Sequence, residues 1–422
     1  MTATAAKRTG WLRAVATLAS GQGLAALAPL AAAPALGRLY TPADYGALAA
    51  FLAFGGLFHA IGALQLQYAI IAEADEQNAE DLVWVCLAAA AATALAATPA
   101  AFGAYWLAAL SEAFAPVAPW ALLLPFTSFA AGAIAGLGAL ANRRAQYGAL
   151  ARIPLAAALV TATTAIWLGL VGWTPHGLFI AYAAGQAVAL AAHLRLWRTL
   201  APHAKPPSVR RGSRLAQRHR RFVFFTLPAQ FVGALNQQMP AYALAAIGAA
   251  PLLGAFNRAR QLAAAPMSLL GAAAGQVFQE RAAAEFRASG SCRALFVRAA
   301  ISLALIGAPA CLALALAAPT LFAWVLGPNW TEAGEIAALL APMLLLRLIC
   351  SPLSSVFYVA GAQRLDFFLS CAATTLLGVC VAGPLLAGWP PRSAIAGYAL
   401  GFSLTYAVYL AAAWRLSEER RV

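Results

Sequence analysis

Apolar residues in this chain come in long blocks separated by short polar turns. Blocks of spanning length fall near 11–36, 44–72, 82–107, 117–140, 153–172, 177–197, 222–248, 252–278, 295–318, 335–360, 366–388 and 393–414. A helix needs about 20 apolar residues to cross a hydrocarbon core of about 30 Å, and only helices or closed barrels satisfy their backbone there. The pattern therefore predicts an all-α polytopic membrane protein with about 12 transmembrane helices. Turn-rich stretches such as "LYTPADYG", "GWTPHG", "GPNWTEAGE" and "GWPPRS" punctuate the blocks.

Composition sharpens this picture. The 422 residues are 63% hydrophobic and only 10% charged, whereas soluble domains carry roughly 25% charged residues. Abundant Ala and 33 Gly suit close helix packing in lipid, where small residues form the contacts. The start, "KRTGWLR" followed by "LAALAPLAAAPALG", imitates a signal peptide. Its apolar run is long and many spans follow, so a retained first helix is the better reading. Six scattered cysteines without a CxxC indicate neither a metal site nor a disulfide framework, and no cofactor is implied.

The net charge of +14 would suggest a nucleic-acid ligand in a soluble protein. Here its distribution gives a topology instead. With the N-terminus inside, 23 of the 28 Lys and Arg lie on the cytoplasmic side, two (Arg38 and Arg392) on the far side, and three (Arg258, Arg260 and Arg347) within spans. The positive-inside rule then puts both termini in the cytoplasm. Nine of these cations fall in 195–221. That insertion divides the chain into an N-terminal six-helix bundle (1–197), a basic cytoplasmic linker (198–221) and a C-terminal six-helix bundle (222–422). No nucleic-acid partner is read from the linker; it suits the anionic cytoplasmic leaflet. The acidic loop "EADEQNAED" contributes little to orientation. Gly46 and Gly254 each start the second helix of a half, 208 positions apart, which fits the duplication common in secondary transporters.

Polar residues inside the spans are the candidate chemistry. At 100° per residue in the eighth block, with Asn257 at 0°, Gln261 falls at about 40°, Arg258 at about 100° and Arg260 at about −60°. The seventh block carries Thr226, Gln230, Gly233 and Gln237 at i, i+4, i+7 and i+11; Arg347, Ser351, Ser354 and Tyr358 repeat that spacing in the tenth. Arg347 sits about 12 residues from Glu335, roughly 18 Å deep. Two readings of Arg258 and Arg260 stand side by side: snorkelling to the interface, or lining a hydrated cavity. Arg347 is too deep to snorkel easily. The glutamine stripe fits interhelical hydrogen bonds as well as a ligand. His59 reads as a structural histidine ahead of a titrating one, while Gln22, Gln65 and Gln67 could line a cavity from the first half.

All 14 Asp and Glu lie in loops or near helix ends. Guanidinium groups without mid-span carboxylates suit an anionic cargo, because they bind phosphate oxygens in a forked geometry. They suit cationic drugs badly. No HExxH, Walker loop or GxSxG in context marks an enzyme, so the chain reads as a transporter.

Three stretches carry a resemblance. "GRLYTPADYGALAAFLAFGGLFHAIGALQLQYAII", "LPAQFVGALNQQMPAYALAAIGAAPLLGAFNRARQLAAAPMSLLGAAAGQVFQERAAAEF" and "GPNWTEAGEIAALLAPMLLLRLICSPLSSVFYVAGAQ" resemble, in order and spacing, the polysaccharide biosynthesis (oligosaccharide flippase) family. That family belongs to the multidrug/oligosaccharidyl-lipid/polysaccharide exporter superfamily. The resemblance implies two six-helix bundles around a central cavity in the bacterial cytoplasmic (inner) membrane. The implied work is moving undecaprenyl-pyrophosphate-linked oligosaccharide, such as an O-antigen, capsule or exopolysaccharide unit, to the outer leaflet. Pathway polymerase and chain-length proteins are the implied protein partners. Gln65-Leu66-Gln67-Tyr68 departs from the charged element that relatives carry there. On this reading Arg258, Arg347 and Arg260 receive the pyrophosphate, and Gln230, Asn236 and Gln237 hydrogen-bond sugar hydroxyls. Gln261, Asn257 and Gln67 complete the set, and Pro228, Pro240, Pro266 and Pro352 supply helix breaks. The rivals are a multidrug or metabolite antiporter of the same fold, a membrane-embedded glycan polymerase or ligase, and a twelve-helix facilitator-type carrier.

Overall fold

The computed structural model describes residues 23–25, 27–110, 118–360 and 362–418. Gln22 and the start of the first expected span lie outside them. Helix α1 covers Gly23–Leu39. It is followed by α2 (Pro42–Ile61), α3 (Gln67–Ala72), α4 (Glu76–Leu110), α5 (Leu123–Arg143), α6 (Tyr147–Leu170), α7 (His176–Leu200) and α8 (Val209–Arg218). The second half holds α9 (Leu227–Ala246), α10 (Ala250–Ser289), α11 (Arg293–Leu326), α12 (Thr331–Leu353), α13 (Val356–Val359), α14 (Gln363–Leu386) and α15 (Arg392–Leu416). The described residues hold no strand, and the fold is all-helical.

Nine helices among the described residues are long and apolar enough to cross a membrane. Helices α9 and α10, which carry most of the polar candidates, are not among the nine. Their shortfall in hydropathy is the same polar content that marks them as candidates.

The residues form two compact units, Met1–Gln238 and Met239–Val422. In the first, α5 packs against α2, α3, α4, α6 and α7; in the second, α12 packs against α10, α11 and α15. Helices α5 and α12 are the fourth spans of their halves. Each buries 56% of its apolar window, more than any other span. Each unit thus has one central helix against which its neighbours pack.

Local chemistry explains how the helices start and stop. Thr41 caps α2, with Pro42 at the first turn. The Asp44 carboxylate accepts from the Thr41 amide at 2.8 Å, closing a capping box. Tyr45 is buried edge-on to Tyr40, with ring centroids 6.3 Å apart, so the "TPADYG" element is a helix start plus its anchor. Pro251 likewise sits in the first turn of α10, which has no side-chain cap, and Gly290 closes that helix in the left-handed conformation.

Three expected spans are not continuous α-helices. The 44–72 block breaks between α2 and α3, where Leu64 (φ 49°) and Gln65 (φ 58°) are left-handed. There the Gln65 side-chain amide donates to the Ala60 carbonyl at 2.7 Å, replacing a backbone partner lost at the break. Gly62 sits against Gly132 of α5; a Cβ on Gly132 would lie 2.7 Å from the Gly62 carbonyl carbon. The 222–248 block opens with a π-helical turn, Phe222–Thr226, before α9. The 335–360 block ends α12 at Leu353, just after Pro352, and resumes as α13.

Candidate functional site

Arg347 lies on α12, the most buried span of the second unit, and is itself half-buried. It lines a small cavity of about 20 Å³ with Leu344, Leu348 and Ser351 of α12 and with Ala264, Met267, Ser268 and Gly271 of α10. That volume accommodates about one water molecule. Arg347 also acts electrostatically on the Tyr406 hydroxyl of α15. The cavity thus joins Arg347 with Ser351 of α12 and Ser268 of α10, and Arg347 pairs with no carboxylate among the described residues. Polar lining at this depth distinguishes the cavity from a packing defect. Sequence spacing located Ser351. Ser268 and Tyr406 were missed, because nearness to Arg347 depends on how α10 and α15 pack on α12. The expected stripe continues to Ser354, whose amide still donates to the Cys350 carbonyl at 2.8 Å, and to Tyr358 of α13, beyond the interruption after Leu353.

Arg258 is 3% exposed, and its Nη1 donates to Gln261 Oε1 at 3.1 Å. It lies about eight residues into α10, roughly 12 Å from its start. Burial at that depth distinguishes it from a snorkelling side chain. Arg260 is half-buried, with its guanidinium carbon 5.5 Å from the Phe256 ring centroid, a cation–π distance. Asn257 is half-buried and Gln261 exposed. Gln230 and Gln237 of α9 are exposed and Asn236 is half-buried; with Gln67 they belong to the first unit, whereas the three arginines belong to the second. Gln67 Nε2 donates to Gln65 Oε1 at 3.0 Å. A side-chain relay thus runs from Gln67 through Gln65 to the carbonyl freed at the break.

The acidic loop between α3 and α4 gathers several cations of the first unit. Glu76 takes Arg143 at 3.0 Å and Arg144 at 2.6 Å, and Glu80 takes Arg144 at 2.5 Å. Asp81 pairs with Arg211 of α8 at 2.5 Å. Glu73 meets His219 at 2.8 Å and Arg218 at 3.7 Å. Burial lowers the pKa of Arg144, but its hydrogen bonds to Glu80 and Glu76, with their charges, outweigh burial and leave the group above its ordinary value. The acidic loop, set aside in reading orientation, is the counterion of Arg143 and Arg144 at the end of α5 and of Arg211, Arg218 and His219 in the linker. In the second unit Arg392 forks onto Glu332 at 2.7 and 2.9 Å and reaches Glu335 at 3.1 Å.

A sequence model described as polysaccharide biosynthesis protein matches residues 35–335. No curated protein sequence matches the chain at a significant level. Among solved structures, the lipid II flippase MurJ in an inward closed conformation superposes with a TM-score of 0.73 at 10% identity, over 95% of this chain and 89% of that one. An inward-facing multidrug resistance MATE family transporter of the MOP superfamily gives 0.64 at 14% identity, over 93% and 94%. A MOP superfamily transporter from Pyrococcus furiosus gives 0.63 at 14% identity, over 96% and 95%. At these identities the likeness shows the fold.

Proposed function

The chain belongs to the polysaccharide biosynthesis protein family, and from that premise we propose that it is a flippase for undecaprenyl-pyrophosphate-linked oligosaccharide in the bacterial cytoplasmic membrane. The cargo would cross from the inner to the outer leaflet by alternating access. The O-antigen, capsule and exopolysaccharide units are the glycans this reading admits. Arg347, with Arg258 and Arg260, takes the pyrophosphate. Gln230, Asn236, Gln237, Asn257, Gln261 and Gln67 supply donors and acceptors for the glycan.

One observation carries the reading: a half-buried arginine midway along α12 lines a cavity with two serines and has no carboxylate partner among the described residues. Forked recognition by a guanidinium favours phosphate. The cavity is far smaller than a glycan, so on this reading it widens around the headgroup. The test is leaflet assignment of lipid-linked glycan in cells carrying Arg347→Ala. Loss of outward movement supports the proposal, and unchanged movement refutes it.

The likeness to the MATE transporter favours one second reading, a cation-coupled drug or metabolite antiporter. It predicts ion-driven efflux of a small cargo from proteoliposomes that contain no lipid-linked glycan.

A further inference from the structure

Helix α8 has two unlike faces. With Arg210 at 0°, Arg214 falls at about 40°, Gln217 at about −20° and Ser213 at about −60°, whereas Arg211, Leu215 and Gly212 fall between about 100° and 200°. The second group is docked. Leu215 joins a buried cluster with Leu82, Val83, Cys86 and Leu137, and Arg211 reaches Asp81. The first group is exposed. Beyond the helix, Arg220 and Arg221 are also exposed, followed by Phe224 and Phe225 at 67% and 75%.

We propose that this outer face is a docking surface for anionic phospholipid headgroups, with Arg210, Arg214 and Arg221 on phosphate oxygens and Phe224 and Phe225 at the headgroup–acyl boundary. The surface is separate from the cargo site and does not depend on the cargo's identity.

Three observations select this occupant. Glu73, Glu76, Glu80 and Asp81 of the acidic loop each hold another cation of the first unit, Asp75 accepts from the Asn78 amide, and none of these carboxylates pairs with Arg210, Arg214 or Arg221. The outer arginines therefore have no internal counterion among the described residues. The helix also lies at the ends of spans, beside the start of α4 and four residues before the π-helical turn that leads into α9. Finally, arginine followed by exposed phenylalanine is the chemistry of an interfacial segment. Cations near an anionic surface each raise partitioning about fivefold, and ionic strength weakens that gain.

The test uses the full chain purified in neutral detergent. Short-chain phosphatidylglycerol and phosphatidylcholine are titrated in, and retained lipid is counted by native mass spectrometry. The expected results are preferential retention of phosphatidylglycerol, weakening between about 50 and 500 mM salt, and a loss of at least tenfold in Arg210→Gln/Arg214→Gln/Arg221→Gln. Phe224→Ser/Phe225→Ser should weaken retention while keeping the salt response. Millimolar inorganic phosphate should not displace the lipid. Equal retention by the triple variant overturns the proposal, as does displacement by inorganic phosphate or by a short RNA. Should the glutamine variant fail to fold, Arg210→Lys/Arg214→Lys/Arg221→Lys serves instead. Salt-sensitive retention in it supports the surface, and salt-insensitive retention overturns it.

Discussion

His219 Nε2 lies 2.8 Å from Glu73 Oε2, across 146 positions of sequence, and so ties the end of the linker to the residue that terminates α3. Tyr68 and Phe222 stack beside it, with centroids 6.3 Å apart and planes 27° from parallel. The short helix after the break in the second span is thus held by the segment leading into α9. Both contacts lie within the first unit.

Glu73 predicts a pH dependence. Burial raises its pKa, but the hydrogen bonds from His219 and from the Asp75 amide, with the Arg218 charge, outweigh burial and hold it below the ordinary 4.5. A depressed carboxyl stabilises the fold above its unfolded value and loses that contribution as pH falls through the folded one. Wild-type protein should exceed Glu73→Gln by about 1–3 kcal/mol at neutral pH, the cost of losing charge-assisted hydrogen bonds at a buried group. The gap should narrow progressively below about pH 4.5. Thermal melts of both proteins from pH 3 to 7 check this, and parallel curves contradict it.

Arg143 predicts an unequal response to two substitutions. Its guanidinium donates to the carbonyls of Ile70 at 3.1 Å, Ile71 at 3.4 Å and Glu73, while Nε takes Glu76 at 3.0 Å. One planar fork therefore caps α3 and anchors the acidic loop. Lysine supplies the charge without the fork. Arg143→Lys should recover less than half of the stability lost in Arg143→Ala, which we place at about 3 kcal/mol. Melting temperatures of the two variants give the comparison.

The spans were legible because their signal is cumulative: twenty apolar residues in a row leave few alternatives. The breaks were not, because each depends on something outside the run. The second span breaks where Gly62 meets the Gly132 backbone and where Gln65 substitutes for an amide; the sequence there shows only "IGALQLQ". The role of the acidic loop was hidden for a related reason. Its partners Arg143, Arg144, Arg211 and His219 lie 64 to 146 residues away, and composition carries no pairing at such distances. Arg347 was legible by depth alone, but its neighbours Ser268 and Tyr406 come from other helices.

Small-residue packing gives a contrast between two glycines. A Cβ on Gly132 would lie 2.7 Å from backbone atoms of Gly62 and 2.8 Å from Ala90 Cβ, whereas a Cβ on Gly378 would meet nothing within 4 Å. Backbone cannot retreat as a flexible side chain can. Gly132→Ala should cost about 1–3 kcal/mol through overpacking, offset by less than 1 kcal/mol of helix propensity. Gly378→Ala should be neutral or slightly stabilising. Folded yield on size-exclusion chromatography and melting temperature separate the two.

Under the proposed function, Arg347 makes the sharpest demand on cargo chemistry. Arg347→Gln keeps a polar side chain of similar reach and removes the charge; Arg347→Lys keeps the charge and removes the fork. A charge-assisted hydrogen bond contributes about 1.5–3 kcal/mol, so Arg347→Gln should slow glycan translocation by about tenfold or more. Arg347→Lys should fall between it and wild type, because one ammonium cannot reproduce the paired contacts on a pyrophosphate. Neither change breaks an ion pair among the described residues, so melting temperatures should stay close to wild type and activity can be read directly. Initial rates of glycan-lipid appearance in the outer leaflet make the measurement. A lysine variant as slow as the glutamine one points to forked recognition; one as fast as wild type assigns Arg347 a purely coulombic role.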